Sequence, residues 1–323
     1  MRKDMNYEDI EVPVYLINGF LDAGKTSFLS FTMTQEYFQI EEKTLLIVCE
    51  EGEEEYSTEV LKRYHNTVIE VIEDEADFKL STLRALDARH DPSRVIIEYN
   101  PIWGVAKLEQ MRLPRGWGIM QEIVIVDGET FSVYMNNMKA MFVEMARNAE
   151  MVLFNRCTKD LPLANFRRSI KVFNPACDVQ FMGPDGRPVD IFEDSVPYDM
   201  DKDPIEIEDI DYGIFFVDMQ DNMEKYLGKT VHFKGQVMKN PQMPSDTFIP
   251  ARQAMTCCAE DIQYIGYLCK SKEASRLKEK SWVDVTAKIG KEYIPMVKRE
   301  EPVLEALEVR AAKPPATELV YFT

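Results

Sequence analysis

Basic residues are scarce in this chain: 38 lysines and arginines stand against 56 aspartates and glutamates, a formal net charge of −18 at pH 7. A surface of that sign repels phosphate backbones and anionic headgroups, so no nucleic acid is expected among the partners. Long apolar runs are missing as well, none approaching the roughly 20 residues a spanning helix needs, and no direct membrane insertion is expected. The stretch from Met1 to Val12 is charged and lacks the apolar centre of a signal peptide, which predicts a cytoplasmic protein. Cysteine is sparse, with six residues spread over 323 positions, so a disulfide framework is excluded and reduced thiols are expected. No internal repeat is visible. What the chain does have is length and apolar content: 45% hydrophobic residues fill two cores, and a disordered or fibrous protein is excluded.

The first half alternates short β-branched runs with longer amphipathic segments, the pattern of repeated βαβ units. Strands are predicted at Val12 to Asn18, Thr44 to Glu50, Thr67 to Ile72, Arg94 to Tyr99, Glu122 to Asp127 and Met151 to Asn155, with helices between them. Between Ile191 and Asp211 acidic residues dominate, and Pro197 and Pro204 interrupt any regular element. The organisation expected is a domain over 1–185, which the G-x-x-x-x-G-K-T motif at residues 19–26 marks as P-loop nucleotide-binding, an acidic linker over 186–212 and a small β-rich domain over 213–323. Thr230 to Met238, Phe248 to Thr256, Trp282 to Ile289 and Val303 to Val309 read as its strands, and Gly235 within the first suggests the bend of an OB-like barrel. The fold class expected is α/β, a mainly parallel P-loop sheet with helices on both faces, followed by this barrel-like domain.

Gly19-Phe20-Leu21-Asp22-Ala23-Gly24-Lys25-Thr26 fits G-x-x-x-x-G-K-[ST], after an apolar run and before a helix-compatible stretch from Ser27 to Tyr37. The chemistry needs this order because glycines let the backbone curl until its N–H groups surround phosphate oxygens, with a helix N-terminus behind them. Gly19, Asp22, Ala23, Gly24, Lys25, Thr26 and Ser27 are therefore candidate nucleotide contacts. Lys25 would neutralise β- and γ-phosphate charge, and Thr26 would offer its hydroxyl to Mg²⁺. Glu98, ending Val95-Ile96-Ile97, and Glu50, ending Leu45 to Cys49, stand where carboxylates that manage metal and attacking water belong. Solvated strand-end acids are the alternative for both.

The stretch Val12 to Thr26 resembles the opening of CobW/HypB/UreG-type GTPases, especially the CobW pattern P-V-x-x-x-x-G-F-L-G-A-G-K-T. Glu50 with Gly52 is similar to that family's N-E-F-G segment, and Glu98 to its E-x-x-G. Asn148-Ala149-Glu150 with Asn155 resembles A-D…N-K-x-D, and Asn174-Pro175 is a further signpost. The resemblance spans roughly residues 10 to 182. It implies Mg²⁺-dependent GTP hydrolysis, often linked to metal-ion delivery, with Lys25, Glu50 and Glu98 as catalytic candidates and Asn155 and Arg156 near the base.

The departures are informative. Asp22 and Pro101 stand where the family has glycines, and Pro101 supplies no N–H for a γ-phosphate. Thr158 replaces the aspartate that grips guanine, with Asp160 two residues on as a compensating acid or a surface acid, so ATP stays open beside GTP. The family's C-x-C-C metal motif is absent from Val71 to Asp77, an acidic turn whose carboxylates suit a hard cation or solvent.

Met255-Thr256-Cys257-Cys258-Ala259-Glu260-Asp261 with Trp282-Val283 resembles the C-terminal half of YcgQ-like bacterial proteins, which are associated with a permease. Cys257, Cys258 and Asp261, with Cys269 or His232, are candidate Zn²⁺ ligands, against buried structural cysteines; neighbouring thiols on a strand point to opposite faces unless a bulge intervenes. The methionine stripe Met135, Met138, Met141 and Met145 and the pair Trp103 and Trp117 read as core. The function expected is a Mg²⁺-dependent nucleoside triphosphatase of GTPase type serving a metal-dependent client or permease. The alternatives are a nucleotide-binding switch or metal-binding adaptor with little turnover, and a small-molecule kinase.

Overall fold

The structure is a computed structural model that describes residues 10–50, 52, 56, 57, 59, 61, 66–189, 196–240, 243–255, 262–294, 298–320 and 322. The chain divides into two compact units, Met1–Leu163 with Ala176–Asp190, and Ala164–Pro175 with Ile191–Thr323.

The first unit is a seven-stranded parallel sheet in the order β3-β2-β4-β1-β5-β6-β7. Its strands are β1 (Val12–Asn18), β2 (Thr44–Val48), β3 (Thr67–Val71), β4 (Arg94–Glu98), β5 (Trp117–Asp127), β6 (Met151–Asn155) and β7 (Asp178–Phe181). Every residue of β2 and β4 is buried, as a strand covered on both faces requires, and this is why each carries a continuous apolar run, Leu45 to Val48 and Val95 to Ile97. The helices are α1 (Lys25–Met33), α2 (Leu80–His90), α3 (Val105–Gln110), α4 (Phe131–Asn137) and α5 (Lys139–Ala146). The parallel arrangement expected from the βαβ pattern is the one observed, with two extensions. β5 begins five residues before the predicted Glu122, because Trp117 to Ile119 pair with Val12 to Val14 across a bulge. β7 escapes the sequence pattern, being four residues long at the sheet edge with a single buried side chain. Met145 is buried and Met135, Met138 and Met141 are half-buried. Trp103 packs against Phe78 and Tyr99, and Trp117 is buried with its indole N–H donating to Asp87 Oδ1 at 2.9 Å.

The second unit holds β8 (Ile205–Glu206), β9 (Thr230–Met238), β10 (Thr247–Met255), β11 (Ile262–Ile265), β12 (Leu268–Lys270), β13 (Trp282–Ile294), β14 (Arg299–Ala311) and β15 (Leu319–Val320). It also holds α7 (Tyr212–Asp221) and most of α6 (Leu163–Lys171). Five strands close into a ring, β9-β10-β12-β14-β13 and back to β9, with every pair antiparallel except β12 with β14. That connectivity is the OB-type barrel expected of the C-terminal domain. Burial along β9 alternates strictly, from Val231 through Phe233 to Val237, so one face lines the barrel. A Cβ at Gly235 would lie 2.7 Å from the Pro250 carbonyl carbon, so glycine is what lets β9 approach β10 this closely. Within the stretch 186–212, Tyr198, Ile205 and Ile207 belong to this barrel's core, and Ile205 pairs with Val231. The apolar residues among the acids thus serve packing in the second unit.

Candidate active site

The site lies at the carboxyl ends of β1, β2 and β4 in the first unit, where parallel strands leave a crevice. Residues 19–24 connect β1 to α1, and Gly24 caps the helix in a left-handed conformation (φ 95°, ψ 27°). A Cβ at Gly24 would lie 2.4 Å from the Asn155 side-chain nitrogen, and one at Gly19 would lie 2.3 Å from Ile125 O. Both glycines are thus fixed by neighbouring backbone and side chain, not only by the curl. Asp22, where the resembled family has glycine, is also left-handed at φ 59°, a conformation aspartate tolerates better than most residues. The loop therefore keeps a glycine-like path despite the substitution.

Lys25 opens α1 and is buried; its Nζ donates to Gly19 O at 2.8 Å, Phe20 O at 3.1 Å and Glu50 Oε2 at 2.7 Å. Three acceptors use all three protons of the ammonium. Thr26 Oγ1 donates to Glu98 Oε1 at 3.3 Å, while Tyr56 OH donates to Glu98 Oε2. Burial raises the Glu98 pKa above the usual carboxylate value; the Tyr56 hydrogen bond, Lys25 and Thr26 work in the opposite direction. Cys49, immediately before Glu50 in sequence and deeply buried, has its thiol pKa pushed far above normal, first by desolvation and then by Glu98, so it is no nucleophile. A solvent-open cleft with about 500 Å³ of empty space is lined by Leu21, Asp22, Gly24, Lys25, Thr26, Glu50, Gly52, Glu98 and Arg156.

The candidates near the base come from the end of β6. Asn155 Nδ2 donates to Ala23 O at 3.4 Å, and its Oδ1 accepts from Arg156 N at 2.9 Å. Arg156 Nη1 donates to Asp22 O at 2.8 Å and to Asp127 Oδ2 at 2.5 Å. These contacts tie the β6 loop to the phosphate loop. A second recess of about 610 Å³ opens beside Asp127, Thr130 and Tyr134, and the Phe20 and Tyr134 rings stack there 4.2 Å apart. Thr158 is half-buried and its carbonyl accepts from Leu161 N at 3.2 Å, whereas Asp160 is exposed. Pro101 is buried at the first position of a single 3-10 turn, Pro101–Trp103, capped by Asn100, so the missing N–H costs that turn nothing.

The fold thus brings together Gly19, Asp22, Ala23, Gly24, Lys25, Thr26, Glu50, Glu98, Asn155 and Arg156, with Ser27 half-buried on the first turn of α1. Two participants escaped sequence reasoning. Tyr56 follows a run of acidic residues in the sequence with no motif of its own, and Asp127 is one more strand-end acid until its partner Arg156, 29 residues on, arrives through folding. Oxygen donors of Thr26 and Glu98 held 3.3 Å apart at the mouth of the phosphate loop suit a small hard cation such as Mg²⁺.

Cys257, Cys258 and Asp261 lie outside the described residues. Of the other candidate ligands, Cys269 is buried on β12 with its pKa pushed up to about 12 by desolvation, and His232 Nδ1 sits 2.7 Å from Glu206 Oε2. Among the described residues no group of three or more His, Cys, Asp or Glu is placed to hold a metal ion. Asp74 in the acidic turn instead caps the short Glu75–Asp77 turn through its side chain. No described helix is long and apolar enough to cross a membrane.

Residues 192–322 match the family model of the DUF1980 C-terminal domain. The second part of the chain is therefore similar to that domain. No curated protein sequence matches it. Among solved structures, the hydrogenase maturation factor HypB from Archaeoglobus fulgidus aligns at 18% identity and TM-score 0.39, over 55% of this chain and 83% of that one. The Zn(II)-bound YjiA GTPase from E. coli aligns at 19% identity and TM-score 0.41, over 58% of this chain and 60% of that one. HypB from Helicobacter pylori in complex with nickel aligns at 12% identity and TM-score 0.34, over 55% and 80%.

Proposed function

We propose that the chain is a Mg²⁺-dependent nucleoside triphosphatase, with GTP as its preferred substrate and ATP as the competitor. One observation carries the reading: a buried lysine ammonium inside a strand-to-helix loop of G-x-x-x-x-G-K-T sequence, with a hydroxyl and a carboxylate 3.3 Å apart beside it. Phosphoryl transfer asks little covalent chemistry of a protein and much positioning and charge neutralisation, and these groups supply both.

In this reading Lys25 and the loop amides hold the β- and γ-phosphates, and Thr26 and Glu98 hold the cation. Mg²⁺ held by Thr26 and Glu98 would supply neutralisation of charge on the phosphate oxygens. Glu98 and Glu50 are the carboxylates available to orient a water. Asn155 and Arg156 fix the loop against which the base packs, and Thr158 offers a neutral hydroxyl where an aspartate would form a charged fork with guanine, so discrimination between bases is modest. Coupling of hydrolysis to a metal-dependent client or a permease rests on the sequence resemblance of residues 10–182 and of the C-terminal segment.

The deciding measurement is phosphate release from GTP and from ATP with Mg²⁺, compared with Lys25→Ala. Hydrolysis that depends on Lys25 and on Mg²⁺ is expected, and equal rates in the two proteins overturn the assignment. Pro101 favours a second reading, a nucleotide-responsive switch with slow turnover, because that position has no N–H to follow a γ-phosphate. Tight Lys25-dependent binding without multiple turnovers would select it.

A further inference from the structure

Lys25 has three protons and three acceptors, and only one of the acceptors is a charged side chain. The two carbonyls belong to the phosphate loop itself. The third partner, Glu50, comes from the end of another strand, and its carboxylate is 10% exposed against 4% for the lysine side chain. An anionic oxygen 2.7 Å from the ammonium is what a phosphate oxygen presents to the same nitrogen. Six residues later Tyr56 makes the matching move, with its hydroxyl donating to one oxygen of Glu98 while Thr26 donates to the other. The two groups that the proposed function assigns to phosphate and to cation are thus both held by side chains from one short stretch of chain.

We infer that Glu50 and Tyr56 are built-in competitors of the nucleotide and its cation, an autoinhibitory pair that the incoming triphosphate must displace. The inference rests on the proposed nucleotide site and adds its regulation. An anion that takes Glu50's place on Lys25 arrives within contact of a carboxylate of the same sign, held 2.7 Å from that ammonium, so Glu50 must leave as phosphate arrives. The apparent affinity is lowered by the fraction of molecules in which the pair is closed, and by reciprocity bound nucleotide opens the pair. Tyr56 acts only on the cation side: while its hydroxyl occupies Glu98, that oxygen is withheld from a metal ligand sphere.

The test is equilibrium titration of the full chain with a fluorescent GTP analogue, with Mg²⁺ and with EDTA, for wild type, Glu50→Gln, Tyr56→Phe and Lys25→Ala. Glu50→Gln keeps the shape and removes the charge, and its Kd is expected to fall about tenfold under both conditions, the scale of one charge-assisted contact. Tyr56→Phe is expected to tighten binding with Mg²⁺ and to leave it unchanged in EDTA. Melting curves confirm folding, and Glu50→Ala repeats the test if the glutamine variant melts early. Wild-type binding that Lys25→Ala abolishes but that Glu50→Gln leaves equal or weaker overturns the inference alone. Tightening by Tyr56→Phe in EDTA overturns its cation half. Binding that is absent from wild type and both variants, or indifferent to Lys25, overturns the nucleotide site and the inference with it.

Discussion

The two units bury polar groups for opposite purposes. In the P-loop unit Lys25, Thr26, Glu50 and Glu98 converge on a cavity, and Glu98 carries a raised pKa because its buried position is not fully compensated. In the barrel unit most buried polar groups pair with one another, the Arg252 Nε being an exception among the described residues. Tyr226 donates to Asp218, Tyr198 and Tyr226 share a hydrogen bond of 2.6 Å, Lys225 lies 2.5 Å from Asp218, and Asn222 donates to it at 2.9 Å. Arg252, 1% exposed, donates to Asp209 Oδ1 at 2.7 Å and to Thr317 O at 3.0 Å, flanked by the Tyr212 and Trp282 rings. Polarity that faces a cavity is available for chemistry, whereas polarity that closes on itself specifies a packing arrangement.

This contrast predicts which property each substitution moves. Arg252→Ala removes the bonds to Asp209 and Thr317 and leaves a hole between two rings, while Asp209, 41% exposed, keeps Lys234 at 3.9 Å; a loss of about 2–4 kcal/mol, mostly from the cavity and lost packing, is expected in urea unfolding followed by tryptophan fluorescence, with nucleotide affinity unchanged. An unfolding midpoint equal to wild type would erase the distinction. Lys25→Ala is the mirror case: phosphate release should drop roughly 10²–10³-fold, as when one preorganised stabilising group is removed from an active site, while the barrel unfolds as before. Gly235→Ala pushes a methyl against the Pro250 backbone and should cost about 1–3 kcal/mol through overpacking, visible as a lower melting temperature with unaltered hydrolysis. Thr158→Asp has the smallest expected effect, raising the GTP-to-ATP affinity ratio about tenfold in competition titrations. No change would separate the β6 loop from base reading.

The same contrast explains what the sequence discloses. The phosphate loop is contiguous, so eight neighbouring residues declare it, and Glu98 and Glu50 are visible because strand ends in a parallel sheet face one crevice. Tyr56 and Asp127 are silent because their partners, Glu98 and Arg156, are delivered by the fold across 42 and 29 positions. The alternation of β9 and the glycine within it are legible locally. Ring closure is not, since it depends on β9 meeting β10 and on β12 running parallel to β14 across an intervening strand. The acids of 186–212 likewise mask Tyr198, Ile205 and Ile207, whose burial becomes evident only when the barrel supplies the other wall.

The glycine contacts in the phosphate loop have a mechanical corollary. Gly19 abuts the backbone of β5 and Gly24 abuts the amide at the tip of β6, so the loop is wedged between two adjacent strand ends. A shift of β5 reaches Gly19 through backbone alone, whereas a shift of β6 reaches Gly24 through the Asn155 side chain. The path of the loop is therefore tied to where β5 and β6 end, and any rearrangement of those two strand ends would move the glycines that shape it.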